Sequence, residues 1–572
     1  MPKTWCSILL EETVSMSLQQ SGPGLSRIRE LISLYADPKV SVAEVLCDRY
    51  TQDALAYKVV GSDLEATNLT YGDLRVRSER FASALAGLGV GPGDRVATLM
   101  GKSVEYLVTL LAIWRLGAVH VPIFTAFAPP AIAFRLLGSR AKVIVCDAAQ
   151  QPKLAPGQDI PADAHWKVVT TAGPEQDVQG ALRFADLVAS SSPGMPAARL
   201  GGDAPIIEIY TSGTTGRPKG VVVPTRALAG FRAYAEFGLG IRADDLYWCA
   251  ADPGWAYGLY FGILGSLSTG VPSLLYGSGF DAGATLEILS RYGVTNFTAA
   301  PTVYRSLRVY SGPIPKITKL RCASSAGEPL TPDVNLWAGD ALGVAVHDHY
   351  GQTEAGMLIN NHHHPDLRQP LKPGSMGRPL PGWSMLVLKD QEDAPAADGE
   401  LGRVAVELSE SPLAWFSGYI DDPQKSAEKF AGNGRWYLTG DAGRRDEDGY
   451  YHFASRDDDV IIMAGYRIGP FEIESIIVTH PAVSECAVIA VPDETRGEVL
   501  EAYVVLRSGE QASPEIVREI QSWVKTRYAA HAFPRKVHFT EALPKTASGK
   551  VQRFVLRQQR RAELASQVPE AV

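Results

Sequence analysis

Residues 208–220 read EIYTSGTTGRPKG. The hydroxyl residues Thr211, Ser212, Thr214 and Thr215 alternate with Gly213 and Gly216, and Lys219 and Gly220 close the run. Glycines let backbone N–H groups approach an anion closely, and the hydroxyls add donors. Lys219 adds a positive charge. Taken alone, the residues fit either a flexible polar turn or a phosphate cradle. They do not fit the usual nucleotide-triphosphatase loop, in which a Gly-Lys pair is followed by Ser or Thr. Here Lys219 lies three residues after Gly216 and is followed by Gly220.

The surrounding sequence sets this loop in an α/β frame. Residues 72–119 combine a helical segment (DLRVRSERFASALAGLGV), a short apolar run (RVATLM) and a second helical segment (VEYLVTLLAIWRLGA). VHVPI and AKVIVCD follow as strands, and PSLLYG and VTNFTAA continue the pattern. Helices alternating with short apolar strands predict parallel-rich sheets covered by helices on both faces. Residues 150–204 are rich in Pro, Gly, Ala and Ser and read as a variable excursion with a few strands. After about residue 375 short strands dominate (SMLVLKD, GRVAVEL). WYLTGDAGRRDEDGYYHFASR then reads as a hairpin turning at Asp448–Gly449. We therefore expect an N-terminal extension over 1–44 and a large domain with a β-rich subdomain over 45–457. A small α+β domain with a basic, polar tail is expected over 458–572.

Composition bounds the function. The chain has 572 residues, enough for about two to four domains. Its formal net charge of −8 offers no field to attract a nucleic-acid backbone, so no nucleic-acid partner is expected. The cysteines at 6, 47, 146, 249, 322 and 486 form no C-x-x-C pair, which points to reduced thiols in a cytoplasmic protein. No apolar run reaches the roughly 18 residues of a membrane span. The start, MPKTWCSILLEETVS, reads poorly as a signal peptide, and either Met1 or Met16 could be the natural first residue. Oligomeric state is not legible.

Four further segments stand with the opening loop: YGQTEAG at 350–356, YLTGD at 437–441, GYRIG at 465–469 and LPKTASGKVQR at 543–553. In this order and at these separations, the five resemble the adenylate-forming superfamily of acyl-CoA synthetases, carrier-protein adenylation domains and luciferases. The resemblance spans about residues 45–560. ADPGWAYG, SSAGEPL and PDETRGE bring it nearest the acetyl- and medium-chain acyl-CoA synthetases.

That resemblance implies a large domain, a small mobile C-terminal domain, and two half-reactions. A carboxylate attacks the α-phosphate of ATP to give acyl-AMP and pyrophosphate. The thiol of coenzyme A then attacks the acyl carbon and AMP leaves. It also implies roles. Thr211, Ser212, Gly213, Thr214, Thr215 and Lys219 would hold the β- and γ-phosphates, and Glu354 would bind Mg²⁺. Tyr350 would stack on adenine, with Gly327, Glu328 and Pro329 as the other wall and the Gln352 amide beside it. Asp441, with Arg456, would hold the ribose, and Thr353 would contact the α-phosphate. Lys550 would bridge the carboxylate and α-phosphate oxygens, offsetting the repulsion between two anions. Gly465, Tyr466 and Arg467 would form the coenzyme A face after a domain rotation hinged at Asp458.

Some positions depart from the pattern. Ser455 stands where the family usually has Gly, and Ile462 where it has Lys or Asn; both bear on the balance between the two domain orientations. Gly351 stands where acetyl-CoA synthetases carry Trp. We therefore expect an acid larger than acetate (medium-chain, branched, aromatic or polycyclic), with Trp255, Tyr257 and Val303 as candidate pocket walls. Close strand packing alone would equally explain a glycine at 351. HHHP at 362–365 is expected to be a polar loop, because neighbouring residues on a strand face opposite ways and cannot share one metal. No metal is assigned to His347 or His349. Three alternatives remain: an enzyme running one half-reaction, such as thioesterification of preformed acyl-AMP; an adenylation enzyme loading a carrier protein; and a non-catalytic nucleotide-binding protein.

Overall fold

A computed structural model describes residues 24–211, 218–463, 466–493, 497–529, 532–546 and 550–566. Two sheets carry the large domain. In the first, a seven-stranded sheet, Arg95–Leu99 lies between Val119–Pro122 and Val143–Cys146, all parallel, and Lys167–Thr170 and Leu182–Arg183 extend one edge. The hairpin Pro205–Thr211/Lys219–Pro224 forms the other edge. The second, a fourteen-stranded sheet, changes character along its length. Ser273–Tyr276, Tyr247–Cys249, Asn296–Ala299, Cys322–Ala326 and Val346–Gln352 are parallel neighbours. Beyond Gly356–Asn360 the pairings are antiparallel and form the β-rich part.

Local chemistry explains the elements. The helix Tyr71–Gly87 starts at a reciprocal capping box between Thr70 and Asp73. The helix Val104–Arg115 is capped by Ser103, and every residue from Tyr106 to Arg115 is buried, as its unbroken apolar run requires. Arg115 inside that run is neutralised by two hydrogen bonds to Asp48, at 2.6 and 2.9 Å. The helix Leu25–Tyr35, within the segment set apart as an extension, buries Ile28, Leu31 and Tyr35 in the large domain's core.

The C-terminal part has its own core, built only from residues between Ile461 and Leu556. A five-stranded sheet around the long hairpin Val483–Asp493/Gly497–Leu506 carries it, packed by Pro470–Ile477, Pro514–Arg527 and Arg553–Ser566. The basic tail includes the helix Arg553–Ser566. Its arginines pair inward: Arg553 with Glu474 at 2.6 Å, and Arg560 with Glu501 at 2.7 Å while only 4% exposed. The acids that hold this helix come from elsewhere in the small domain. Among the described residues five cysteines are free and buried, and no helix is long and apolar enough to cross a membrane.

Candidate active site

The site forms where two strand ends meet. Val346–Gln352 runs beside Cys322–Ala326 and turns back through Thr353–Ala355 into Gly356–Asn360, with a bulge between Tyr350 and Gly351. Trp436–Arg445 pairs with Tyr451–Arg456 so that Asp441 lies opposite Arg456. Gly440, with φ +78°, supplies the left-handed residue that lets the chain present Asp441 there.

Asp441 is the hub. It is 3% exposed and accepts from Arg456 Nη1 at 2.8 Å, from Gln352 Nε2 at 2.7 Å and from the Tyr350 hydroxyl. Gln352 also donates to the Thr439 carbonyl at 2.9 Å and accepts from Tyr437 at 2.9 Å. Burial, and then the Asp441 charge, push the Tyr350 phenol well above its ordinary pKa, so it stays a hydrogen-bond donor. Three donors from two separate segments thus converge on one carboxylate.

Ser212, Gly213, Thr214 and Thr215 lie outside the described residues; their flanks Thr211 and Lys219 face each other across the hairpin. Ile420 donates its N–H to the Gly220 carbonyl at 2.9 Å, and Val221 bridges Tyr419. A Cβ at Gly220 would come within 2.9 Å of Ile420, so this glycine serves close approach. Tyr419 then links two predicted residues: Lys219 Nζ sits 4.9 Å from its ring centroid, and its hydroxyl donates to Glu354 Oε1 at 2.7 Å. Tyr419 was not singled out from sequence. Lys429, which donates to the Thr439 carbonyl at 2.8 Å, was also missed. Neither belongs to a segment with a recognisable glycine or hydroxyl pattern.

Gly327, at φ +101°, ends the strand Cys322–Ala326; a Cβ there would meet nothing within 4 Å, so the backbone borders open space beside Glu328 and Pro329. Glu328 accepts from Thr302 Oγ1 at 2.5 Å and Arg305 Nη2 at 3.0 Å. The Thr353 carbonyl accepts from Tyr260 at 3.1 Å. Lys550 is exposed as a residue. Its ammonium is nonetheless crowded by protein, which lowers its pKa, and Arg456 adds to the effect, while Glu328, Asp441 and Glu354 oppose it. Lys550 of the small domain therefore feels the charges of carboxylates that belong to the large domain.

The four pocket residues have different immediate neighbours. Trp255 packs against Phe124 and Phe127, with ring centroids at 5.2 and 5.6 Å, and its indole N–H is buried without a partner. Tyr257 instead bonds Tyr234 at 2.8 Å and Thr298 at 2.7 Å, so its hydroxyl is committed internally. Val303 packs with the separate cluster around Trp248 and Phe297. Gly351 does not open on free volume. A Cβ there would meet the Gly356 carbonyl at 2.2 Å and the Met357 sulfur at 2.6 Å. The bulge brings backbone against backbone, and Met357 occupies the adjoining space.

The histidine loop needs a correction. Residues 361–364 are irregular, as expected, but His362 and His363 are only 5% and 6% exposed. His363 stacks on His347 at 3.7 Å and contacts Ser324 Oγ at 3.1 Å. His347, His349 and His363 cluster closely enough to suggest a metal site. However, His347 Nδ1 and His349 Nε2 both face the Asn361 carbonyl, at 2.7 and 3.0 Å. A backbone oxygen occupies the point of convergence. Burial holds His347 at about 4 and His349 and His363 well below the ordinary histidine value.

Gly465 lies outside the described residues, and Tyr466–Ile468 is a short strand paired with Ile461–Met463. Asp458 sits in a single turn, Asp457–Asp459. Before it, Arg456 is tied to Asp441 of the large domain; after it, Asp459 is tied to Arg553 and Arg557 of the small one.

Comparison with known proteins bears on this geometry. Residues 47–419 match the family described as AMP-binding enzyme, and residues 472–550 the AMP-binding enzyme C-terminal domain. An acyl-CoA synthetase structure from Brucella canis is 39% identical, covers 97% of this chain and 99% of its own, and superposes with a TM-score of 0.72. Acetyl-coenzyme A synthetase of Bacillus subtilis is 34% identical over 91% of this chain and 90% of its own. The anthranilate CoA ligase AuaEII, solved with anthranoyl-AMP, is 29% identical over 93% of this chain and 99% of its own, with a TM-score of 0.83.

Proposed function

This chain belongs to the AMP-binding enzyme family and is an AMP-forming acyl-CoA ligase, and from that premise we propose that it converts a carboxylic acid larger than acetate to its coenzyme A thioester through an acyl-AMP. One observation carries the reading: Tyr350, Gln352 and Arg456 all close on Asp441, whose charge reaches the Lys550 ammonium of the small domain. A carboxylate held by three donors keeps a fixed position from which it can accept ribose hydroxyls. The Tyr350 ring and the open space beside Gly327 suit a planar base between them.

The chemical task is bringing one anion to another, so positioning and charge neutralisation should dominate. Lys219 lies on the phosphate side and Lys550 on the acyl side. Glu354 fits Mg²⁺, since a single carboxylate beside phosphate oxygens suits that hard cation. When bound there, Mg²⁺ would spread the phosphate charge; Tyr419 holds the Glu354 carboxylate in place for it.

Asp457 and Asp458 lie between two anchored neighbours, so a rotation centred there disturbs neither tie. Such a rotation would withdraw Lys550 and bring the Gly465–Tyr466–Arg467 face toward the site for coenzyme A. The acid's size rests on Met357, a flexible thioether beside position 351 that can yield to a larger acyl group.

The test is an acid panel scored for acyl-CoA by mass spectrometry, with pyrophosphate release measured in parallel. Hexanoate or benzoate should exceed acetate, and acetate turnover far above both would reject the size assignment. Lys550→Met should cut acid-dependent ATP–pyrophosphate exchange by about 100-fold or more, a typical loss for one charge-stabilising donor. Thioester formation from supplied acyl-AMP should persist in that variant. Exchange unchanged in Lys550→Met would remove the role given to this lysine.

A further inference from the structure

Glu328 poses a problem for the ammonium opposite it. Of the carboxylates around Lys550, Glu328 acts on its charge most strongly, ahead of Asp441 and Glu354. A free carboxylate there would compete with the nucleotide for the lysine. Yet Glu328 is not free. Its Oε1 accepts from Thr302 Oγ1 at 2.5 Å and from Arg305 Nη2 at 3.0 Å, and Arg305 Nη2 also reaches Thr302 Oγ1 at 3.0 Å. The three groups form a closed triangle. Thr302 and Arg305 can both reach Glu328 because they lie three residues apart on the helix Pro301–Arg308 and so share a face. The side chains are only 27% (Arg305) and 18% (Glu328) exposed, so solvent screens the pair weakly.

We propose that Arg305 and Thr302 are positioning residues for the adenylation half-reaction: they bind Glu328 back onto the helix and balance its charge, leaving the Lys550 ammonium available to the acid and the α-phosphate. This rests on the role given to Lys550 under Proposed function. Neither Arg305 nor Thr302 touches the reacting atoms in this scheme; both act through Glu328. The device matters only while Lys550 faces the cleft, so it bears on acyl-AMP formation and not on thioester formation.

The two half-reactions separate this role from a structural one. Arg305→Met should lower acid-dependent ATP–pyrophosphate exchange by about 10-fold, the equivalent of about 1.4 kcal/mol, while coenzyme A transfer from supplied acyl-AMP stays within about twofold of the parent. Arg305→Lys should recover most of the loss, because it restores the charge. Adding Glu328→Gln to Arg305→Met should return exchange to the level of Glu328→Gln alone, since the competing charge is gone. Equal losses in both half-reactions, failure of Glu328→Gln to rescue, or no loss in Arg305→Met would each overturn the inference. Lys550→Met separates its failure from that of the functional reading. If Lys550→Met abolishes exchange and Arg305→Met does not, only the positioning role falls. If Lys550→Met leaves exchange intact, the premise falls and the inference with it.

Discussion

Gly351 shows how a single missing side chain can be misread. Its identity suggests vacated volume, but its Cβ direction runs into the Gly356 carbonyl at 2.2 Å and the Met357 Cα at 2.7 Å. Two of these obstacles are backbone, which no rotamer change can move. Gly351→Ala is therefore expected to destabilise the protein by about 2–3 kcal/mol, in the range of overpacked core substitutions. Urea unfolding measures this directly, and a loss below about 0.5 kcal/mol would mean that the bulge opens easily. Met357→Ala in the same background should restore little, because the closest clash is with the Gly356 oxygen and not the thioether. Any enlargement of the acyl site must then come from Met357 itself or from the aromatic group of Phe124, Phe127 and Trp255, not from the glycine.

The strand Val346–Gln352 carries both the residues proposed to face adenosine and a buried acid that the motif does not announce. Asp348 accepts the Leu330 N–H at 3.1 Å, and burial pushes its pKa up to about 8, with the Glu328 charge adding to the rise. An unfolded aspartate titrates near 4. The folded state therefore binds the extra proton between these values, and stability must fall as pH rises from about 4 to about 8. Asp348→Asn keeps an acceptor for Leu330 and removes the charge. Its stability advantage over the parent should grow by about 2–4 kcal/mol between pH 5 and pH 8, read from urea midpoints; a gap constant with pH would place the titration elsewhere. The same strand marks what could be read in advance. The pattern YGQTE located Tyr350 and Gln352, and YLTGD located Asp441, because glycine, amide and carboxylate at fixed spacing leave a local imprint. Helix and strand alternation likewise located the parallel sheets. Tyr419 and Arg305 left no such imprint. Each acts on a motif residue 65 and 23 positions away, through contacts that exist only once the sheets are assembled. The pairings of the last helix's arginines were not legible for the same reason: their acids, Glu474, Glu501 and Asp459, are distant in sequence.

At the scale of the whole molecule, the described contacts between the two domains include an electrostatic one. Arg444 of the large domain pairs with Glu472 of the small domain at 2.7 Å, and Tyr528 donates to the other Glu472 oxygen at 2.8 Å. Beside it, Phe453 meets Phe471 at 6.0 Å, and Gly469 packs so tightly on Ala454 that a Cβ would fall within 2.6 Å. Any rotation about Asp457–Asp458 that withdraws Lys550 should separate Arg444 from Glu472. The pair thus favours the orientation in which Lys550 faces the carboxylates. Arg444 is 39% exposed, so screening limits the pair to about 0.5 kcal/mol, or about a twofold change in the balance of orientations. Arg444→Ala should accordingly slow acid-dependent ATP–pyrophosphate exchange about twofold and speed thioester formation from supplied acyl-AMP by a similar factor. The opposite signs are the diagnostic feature, since a general loss of stability would slow both. Salt supplies a second reading: raising ionic strength screens the same pair, so exchange by the parent should approach that of Arg444→Ala at high salt. If both half-reactions change in the same direction, the pair does not set the balance. The motion would then be governed by the apolar contact of Phe453 with Phe471 and by the proposed hinge at Asp458, which Ser455 flanks.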